Sequence, residues 1–309
     1  MSDPSRPVST PVVSTPAVLT PLVSATQLAQ RLTAADCVIV DCRHDLADPG
    51  RGHRDYLAGH IPGAHFLHAD HDLAGPHTGK NGRHPLPDRA VFAASLGRIG
   101  IDATKQVIAY DAQGGMMAAR LWWMLQWLGH EQVAVLDGGL PRWIAEGHPV
   151  SAVPSIAHPT TFVARPGRPS VDADTVLQQL GSGTLTIVDA RANDRFRGEN
   201  ETLDPVGGHI PGAINRPFRD NLTAEGQFKS AAALATEWRA VLGEKIGDQV
   251  VHQCGSGVSA CHNMLALAIA GLPQGRLYPG SWSEWCADSS RPIERGETGE
   301  RGQTGTTGA

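Results

Sequence analysis

Residues 252–263 read HQCGSGVSACHN. Cys254 follows the apolar pair Val250–Val251, small residues fill the next positions, and a helical pattern, ACHNMLALAIAGL, starts at once. A strand that ends on cysteine and turns straight into a helix holds the sulfur where main-chain N–H groups converge. The thiolate is the nucleophile, and an ordinary cysteine titrates near 8.5. The positive end of a helix dipole starting near Ser259 favours the anion. Gly255 and Gly257 tolerate the backbone angles that turn N–H groups inward. Gly255, Gly257, Val258 and Ser259 are therefore candidate ligands, through their main chain, for a charged sulfur. The same stretch also suits an inert buried cysteine at a tight turn, since free cysteine packs as a small hydrophobe.

The elements that hold this stretch occur twice. IVDCR (39–43) returns as IVDAR (187–191), and HIPGA (60–64) returns unchanged at 209–213. VIAYD (107–111) aligns with VVHQC (250–254), and LDGGLPRW (136–143) aligns loosely with LYPGSWSEW (277–285). Four segments repeated in order read as two copies of one domain. The expected layout is a disordered arm at 1–20, a first domain at 21–149, a Pro-rich linker at 150–160, a second domain at 161–297 and a disordered tail at 298–309. Short β-branched runs (38–40, 107–110, 133–136, 185–188, 250–252) alternate with helical stretches such as AARLWWMLQWLG and AALATEWRAVLG. That alternation predicts an α/β fold with parallel sheets covered on both faces. Ligands of such sheets sit outside the carboxyl ends of the strands. Cys254 falls at such an end, and so does Asp111, its counterpart in the first copy. Arg43 and Arg191, with Asp41 and Asp189, are duplicated and so point to structural work in both copies. Trp122, Trp123 and Trp127 fall at helical spacing and read as core.

Composition removes several classes. The net charge is −5 and no long basic run exists, which argues against nucleic acid. No stretch of 18 apolar residues exists, so no membrane span is expected. The N-terminal stretch lacks a secretory signal pattern. Five cysteines without framework spacing predict free thiols and a reducing, cytoplasmic setting. His252, Cys254, Cys261 and His262 fit no common zinc spacing, so neither a metal nor another cofactor is expected.

The loop CGSGVSA (254–260) resembles the active-site loop CGSGVTA of the mercaptopyruvate sulfurtransferases, with Ser259 in place of Thr. The repeated HIPGA, the DCR and DAR segments, LDGGLPRW and YPGSWSEW are also similar to the two-domain rhodanese and 3-mercaptopyruvate sulfurtransferase family. The resemblance spans about residues 21–290. It implies two tandem rhodanese-like domains, each a parallel five-stranded sheet flanked by helices, with the site in the cleft between them. It implies an inactive first domain, consistent with Asp111 at the cysteine position. The implied reaction is ping-pong through a persulfide on Cys254, with cyanide, a small thiol or thioredoxin as acceptor. One chain forms its own cleft, so a monomer is expected.

By the same resemblance Ser256, His84 and Asp70 form a proton relay, and Arg195 binds the donor's anionic group. His65, His68, His71 and His77, in the long connection around Asp70, read as solvent-exposed. One departure bears on the donor. Mercaptopyruvate enzymes carry a second arginine a little beyond the RFRG segment, and here ENETLDPVGGHIPG has none. Thiosulfate enzymes place basic residues in the cysteine loop, as in CRKGVTA, and this loop is uncharged. The loop favours 3-mercaptopyruvate and the missing arginine weakens that preference, so thiosulfate stays as an alternative donor. A persulfide carrier with little turnover is a further alternative. A phosphatase needs an arginine closing the cysteine loop, and residues 255–262 contain none.

Overall fold

The structure, a computed structural model, describes residues 20–297. The tail expected at 298–309 and all but Thr20 of the expected arm lie outside them. The first sheet contains β1 (Leu22–Val23), β2 (Cys37–Asp41), β3 (His65–Phe66), β4 (Gln106–Tyr110) and β5 (Val133–Leu136), ordered β1-β5-β4-β2-β3 and parallel throughout. The second contains β6 (Thr186–Asp189), β7 (Ile214–Asn215), β8 (Val250–Gln253) and β9 (Arg276–Leu277), ordered β7-β6-β8-β9 and also parallel. The five strands expected in each domain are thus found only in the first. In the second, the place of β1 is taken by one parallel bridge, Ser170 to Leu277. Two residues later Asp172 accepts the Thr175 N–H and caps a helix, so the chain leaves the sheet before a strand can form.

Helices α1 (Ala25–Ala29), α2 (Arg51–Ala58), α3 (Arg89–Arg98), α4 (Met116–Trp127) and α5 (Gly139–Ala145) belong to the first domain. Helices α6 (Ala173–Gln179), α7 (Asn193–Arg197), α8 (Ala231–Leu242), α9 (Ser259–Ile269) and α10 (Ser281–Trp285) belong to the second. Two of these are buried on nearly every side. Every residue of α4 from Met117 to Trp127 is buried, as is α9 from Ala260 to Leu267. Such a helix must be covered all round. Here each lies on its own sheet and packs against the other, so one hydrophobic core runs through both domains. The tryptophans at 122, 123 and 127 belong to it. Smaller cores, around Trp143 and around Trp282 and Trp285, fill the outer faces of the two sheets.

The duplicated motifs fold alike. Arg43 grips Asp41 (2.7 Å) and the Gly59 carbonyl (2.7 Å), and Arg191 grips Asp189 (2.6 Å) and the Gly208 carbonyl (2.7 Å). His60 stacks on Tyr56 and His209 on Phe196. The Pro-rich connection runs along the first domain, where Ser151 exchanges main-chain bonds with His60 and the Thr160 N–H reaches the Gly97 carbonyl. Among the described residues no helix is long and apolar enough to cross a membrane.

Candidate active site

Strand β8 is buried along its length and delivers Cys254 to a turn that is held from below. The Cys254 N–H donates to Ser281 Oγ (3.2 Å), and the Cys254 carbonyl accepts from the Trp282 N–H (3.0 Å). Ser281 has φ +56°, the one non-glycine residue in the left-handed region among those described. Its hydroxyl also donates to the Tyr278 carbonyl (2.9 Å). Gly257 has φ +76°, and a Cβ there would run into the Pro279 carbonyl, so this turn requires glycine. Helix α9 starts at Ser259. Cys254 is only 2% exposed, yet it lines a cavity of about 670 Å³ together with Gly255, Ser256, Val258 and Ser259. Met116 and Met117 of the first domain line it from the other side.

The first domain has the equivalent turn. The Asp111 carboxylate accepts N–H groups from Gln113 (2.8 Å), Gly115 (2.9 Å), Met117 (2.7 Å) and Ala118 (3.0 Å). A strand end, a turn and the start of α4 thus form a nest filled by a negative charge. Cys254 occupies the equivalent place before α9.

The structure brings the three residues of the expected relay together from both domains. His84 Nδ1 is 2.7 Å from Ser256 Oγ, and His84 Nε2 is 3.2 Å from Asp70 Oδ1. The hydrogen bond from His84 holds the Asp70 carboxyl below its usual range, against the opposing effect of burial. A carboxylate there accepts from Nε2–H, which leaves Nδ1 to accept from the Ser256 hydroxyl. No helix follows Asp70, so it is not a cap. The histidines around it differ from expectation in part. His71 and His77 are exposed, but His65 and His68 are half-buried, and His68 Nδ1 accepts the Asp70 N–H (3.1 Å).

Two arginines of the site carry no signal in local sequence. Arg120, on α4, is fully buried. Its guanidinium donates to the carbonyls of Gly257 (3.1 Å), His84 (3.0 Å) and Leu73 (3.3 Å), which ties the cysteine loop to the relay. Arg83 precedes His84. Its N–H donates to Ser283 Oγ (3.0 Å) and its guanidinium pairs with Asp204. Arg195, on α7, binds Glu201 through Nη2 (2.8 and 2.9 Å) and Nε (3.1 Å), and also approaches Asp204 (3.4 Å). Both Arg83 and Arg195 line the cysteine cavity. Arg197 instead pairs with Glu199 and Glu297 at the surface.

A second cavity of about 770 Å³ lies on the other side of the relay, lined by Asp70, His84, His44 and His71, and meets the first at Leu46, Arg83 and Leu203. Ring or carboxylate atoms of His44, Asp70 and His84 fall within 4.8 Å of one another, the one such trio among the described residues. A metal ion there would take the atoms that His84 and Asp70 use for each other. Cys261 Sγ lies 3.3 Å from the Gly257 carbonyl, and burial pushes Cys261 up to about 12 and Cys286 up to about 11.

Tandem parallel α/β domains, one with a cysteine at the head of its central helix and one with that position replaced, define a class of two-domain proteins. The profile of the Rhodanese-like domain matches residues 24–146 and 172–288, and the chain belongs to that family. A Pseudomonas aeruginosa protein named "Probable 3-mercaptopyruvate sulfurtransferase" is 47% identical over 278 residues, covering 89% of this chain and 98% of that protein. A Bos taurus protein named "Thiosulfate sulfurtransferase" is 37% identical over 240 residues, covering 75% and 79%. Among solved structures, the 3-mercaptopyruvate sulfurtransferase from Leishmania major superposes with a TM-score of 0.80 at 30% identity, covering 89% of this chain and 76% of that one.

Proposed function

We propose that this protein is a sulfurtransferase that moves sulfur from 3-mercaptopyruvate to cyanide or a thiol through a persulfide on Cys254. The observation that carries this reading is the Asp70–His84–Ser256 chain reaching into the cavity of Cys254. The donor is HS–CH2–CO–COO⁻. The Cys254 thiolate attacks its sulfur, the C–S bond breaks, and the electron pair passes to carbon. The relay takes the proton from the donor thiol and returns it to that carbon. The products are pyruvate and Cys254–S–S⁻, with no net proton gained or lost. The nest at the head of α9 stabilises the outer sulfur anion. Cyanide, a small thiol or thioredoxin then takes that sulfur and regenerates the thiolate. The work needs one chain, acting as a monomer in the cytoplasm.

Thiosulfate is the second reading, favoured by the absence of an arginine from ENETLDPVGGHIPG (199–212) and by the name of the bovine relative. Its sulfur leaves sulfite without any proton transfer, so the relay has no task. Steady-state assays with cyanide as acceptor decide between the two. Wild type and Cys254→Ser are run with each donor in turn. Faster turnover of 3-mercaptopyruvate and an inactive mutant are expected. A preference for thiosulfate overturns the first reading, and turnover of neither donor points to a persulfide carrier.

A further inference from the structure

We infer that Arg83, from the first domain, joins Arg195 beside Gly255 and helps seat the carboxylate of a 2-oxo acid. The inference rests on the sulfurtransferase reading for its donor, but the geometry stands without it. A Cβ built on Gly255 would lie 2.7 Å from Arg83 Nη2 and 3.6 and 3.7 Å from Arg195 Nη2 and Nη1. Two guanidinium groups therefore converge on the residue that follows the nucleophile, in the same cavity.

Their counter-ions stand behind them. Asp204 pairs with Arg83 through one oxygen and approaches Arg195 with the other, while Glu201 takes the Nε edge of Arg195. The side chains of Asp204 and Glu201 are 3% and 4% exposed, whereas those of Arg83 and Arg195 are 25% and 20% exposed. The acids fix the forks from the protein side and leave their other edges toward the cavity. Asp204 already demonstrates one carboxylate lying between both forks. A planar carboxylate suits such edges, because each guanidinium can offer two parallel N–H groups. Glycine at 255 keeps the space open, since any side chain there would displace the Arg83 fork. The second arginine that the RFRG segment lacks in sequence is thus supplied from the opposite domain, next to the relay histidine.

A purely structural Arg83 would pin the domains, but its N–H already does so through Ser283 and survives side-chain replacement. The test reads binding without turnover. Cys254 is alkylated with neutral iodoacetamide, followed at its own peptide by mass spectrometry, at rising pyruvate or its uncharged amide. Pyruvate is expected to protect the wild type and the amide to fail. Arg83→Met and Arg195→Met should each weaken pyruvate protection about tenfold or more. Should Arg83→Met fail to fold, Arg83→Lys carries the test, with a smaller loss expected because lysine keeps the charge and loses the fork. With 3-mercaptopyruvate as donor, Arg83→Met should raise KM more than it lowers kcat. Protection retained in a folded Arg83 variant while Arg195→Met abolishes it would overturn the proposal. Equal protection by pyruvate and its amide would overturn it too. A wild type that turns over neither donor, yet is protected by pyruvate through Arg83, sinks the sulfurtransferase reading and upholds the subsite.

Discussion

At the scale of single residues, the proposed relay would separate two donors that the fold alone treats alike. Mercaptopyruvate needs a proton moved from sulfur to carbon, and thiosulfate does not. His84→Asn and Ser256→Ala should therefore cut turnover of 3-mercaptopyruvate by about a hundredfold or more, the usual contribution of a positioned acid–base group. Thiosulfate turnover by the same variants should stay within about threefold of wild type, because no proton-transfer step is lost. Parallel assays with both donors check this. Equal losses would mean that the two side chains only hold the cysteine loop in shape.

At the scale of elements, the strand that leads to Cys254 also carries a liability. His252 on β8 is fully buried, its ring stands edge-on to Trp238, and neither ring nitrogen has a hydrogen-bond partner among the described residues. Burial pushes it down to about 3 from an ordinary value of 6.5. Between those two values the unfolded chain takes up a proton that the folded chain refuses. Stability is therefore full above about pH 6.5 and is lost as the pH falls, by up to about 1.4 kcal/mol per unit from this residue. His262 on α9, pushed down to about 4 by burial, adds in the same direction. His252→Leu should leave stability at pH 7 nearly unchanged and flatten its decline toward pH 5. Denaturant titrations at both pH values measure this, and an unchanged slope would assign the acid sensitivity elsewhere.

At the scale of the whole molecule, α4 and α9 join the two domains into one core, and Arg120 crosses that seam. Its buried guanidinium holds Gly257 beside the cysteine and the His84 carbonyl beside the relay. Calorimetry of the wild type should show one cooperative transition. Arg120→Met leaves three carbonyls without their donor and should destabilise the protein by about 2–4 kcal/mol while the transition stays single. Two separate transitions in the wild type would show that the core does not couple the domains.

Much of this was legible before any coordinates. The repeats placed two α/β domains in order, because a strand end or a tight turn demands the same small set of residues each time it recurs. The duplicated Asp41–Arg43 and Asp189–Arg191 pairs could be read as scaffold from their duplication alone, and they form the same contacts in both domains. The glycines and helix start after Cys254 marked a tight turn, and in the sister domain the equivalent turn closes its N–H groups on the Asp111 carboxylate. The fifth strand of the second sheet was not legible, since one bridge or two paired residues turn on where a helix cap falls. Arg83 and Arg120 were invisible for a deeper reason. Arg83 reaches Ser283 and Asp204 in the other domain and Arg120 reaches Gly257 there, and a contact across a domain seam leaves no periodicity or spacing along the chain. The family resemblance named His84 and Asp70 as partners of Ser256, but only the packing of α4 on α9 sets the distances at which such a relay can pass a proton.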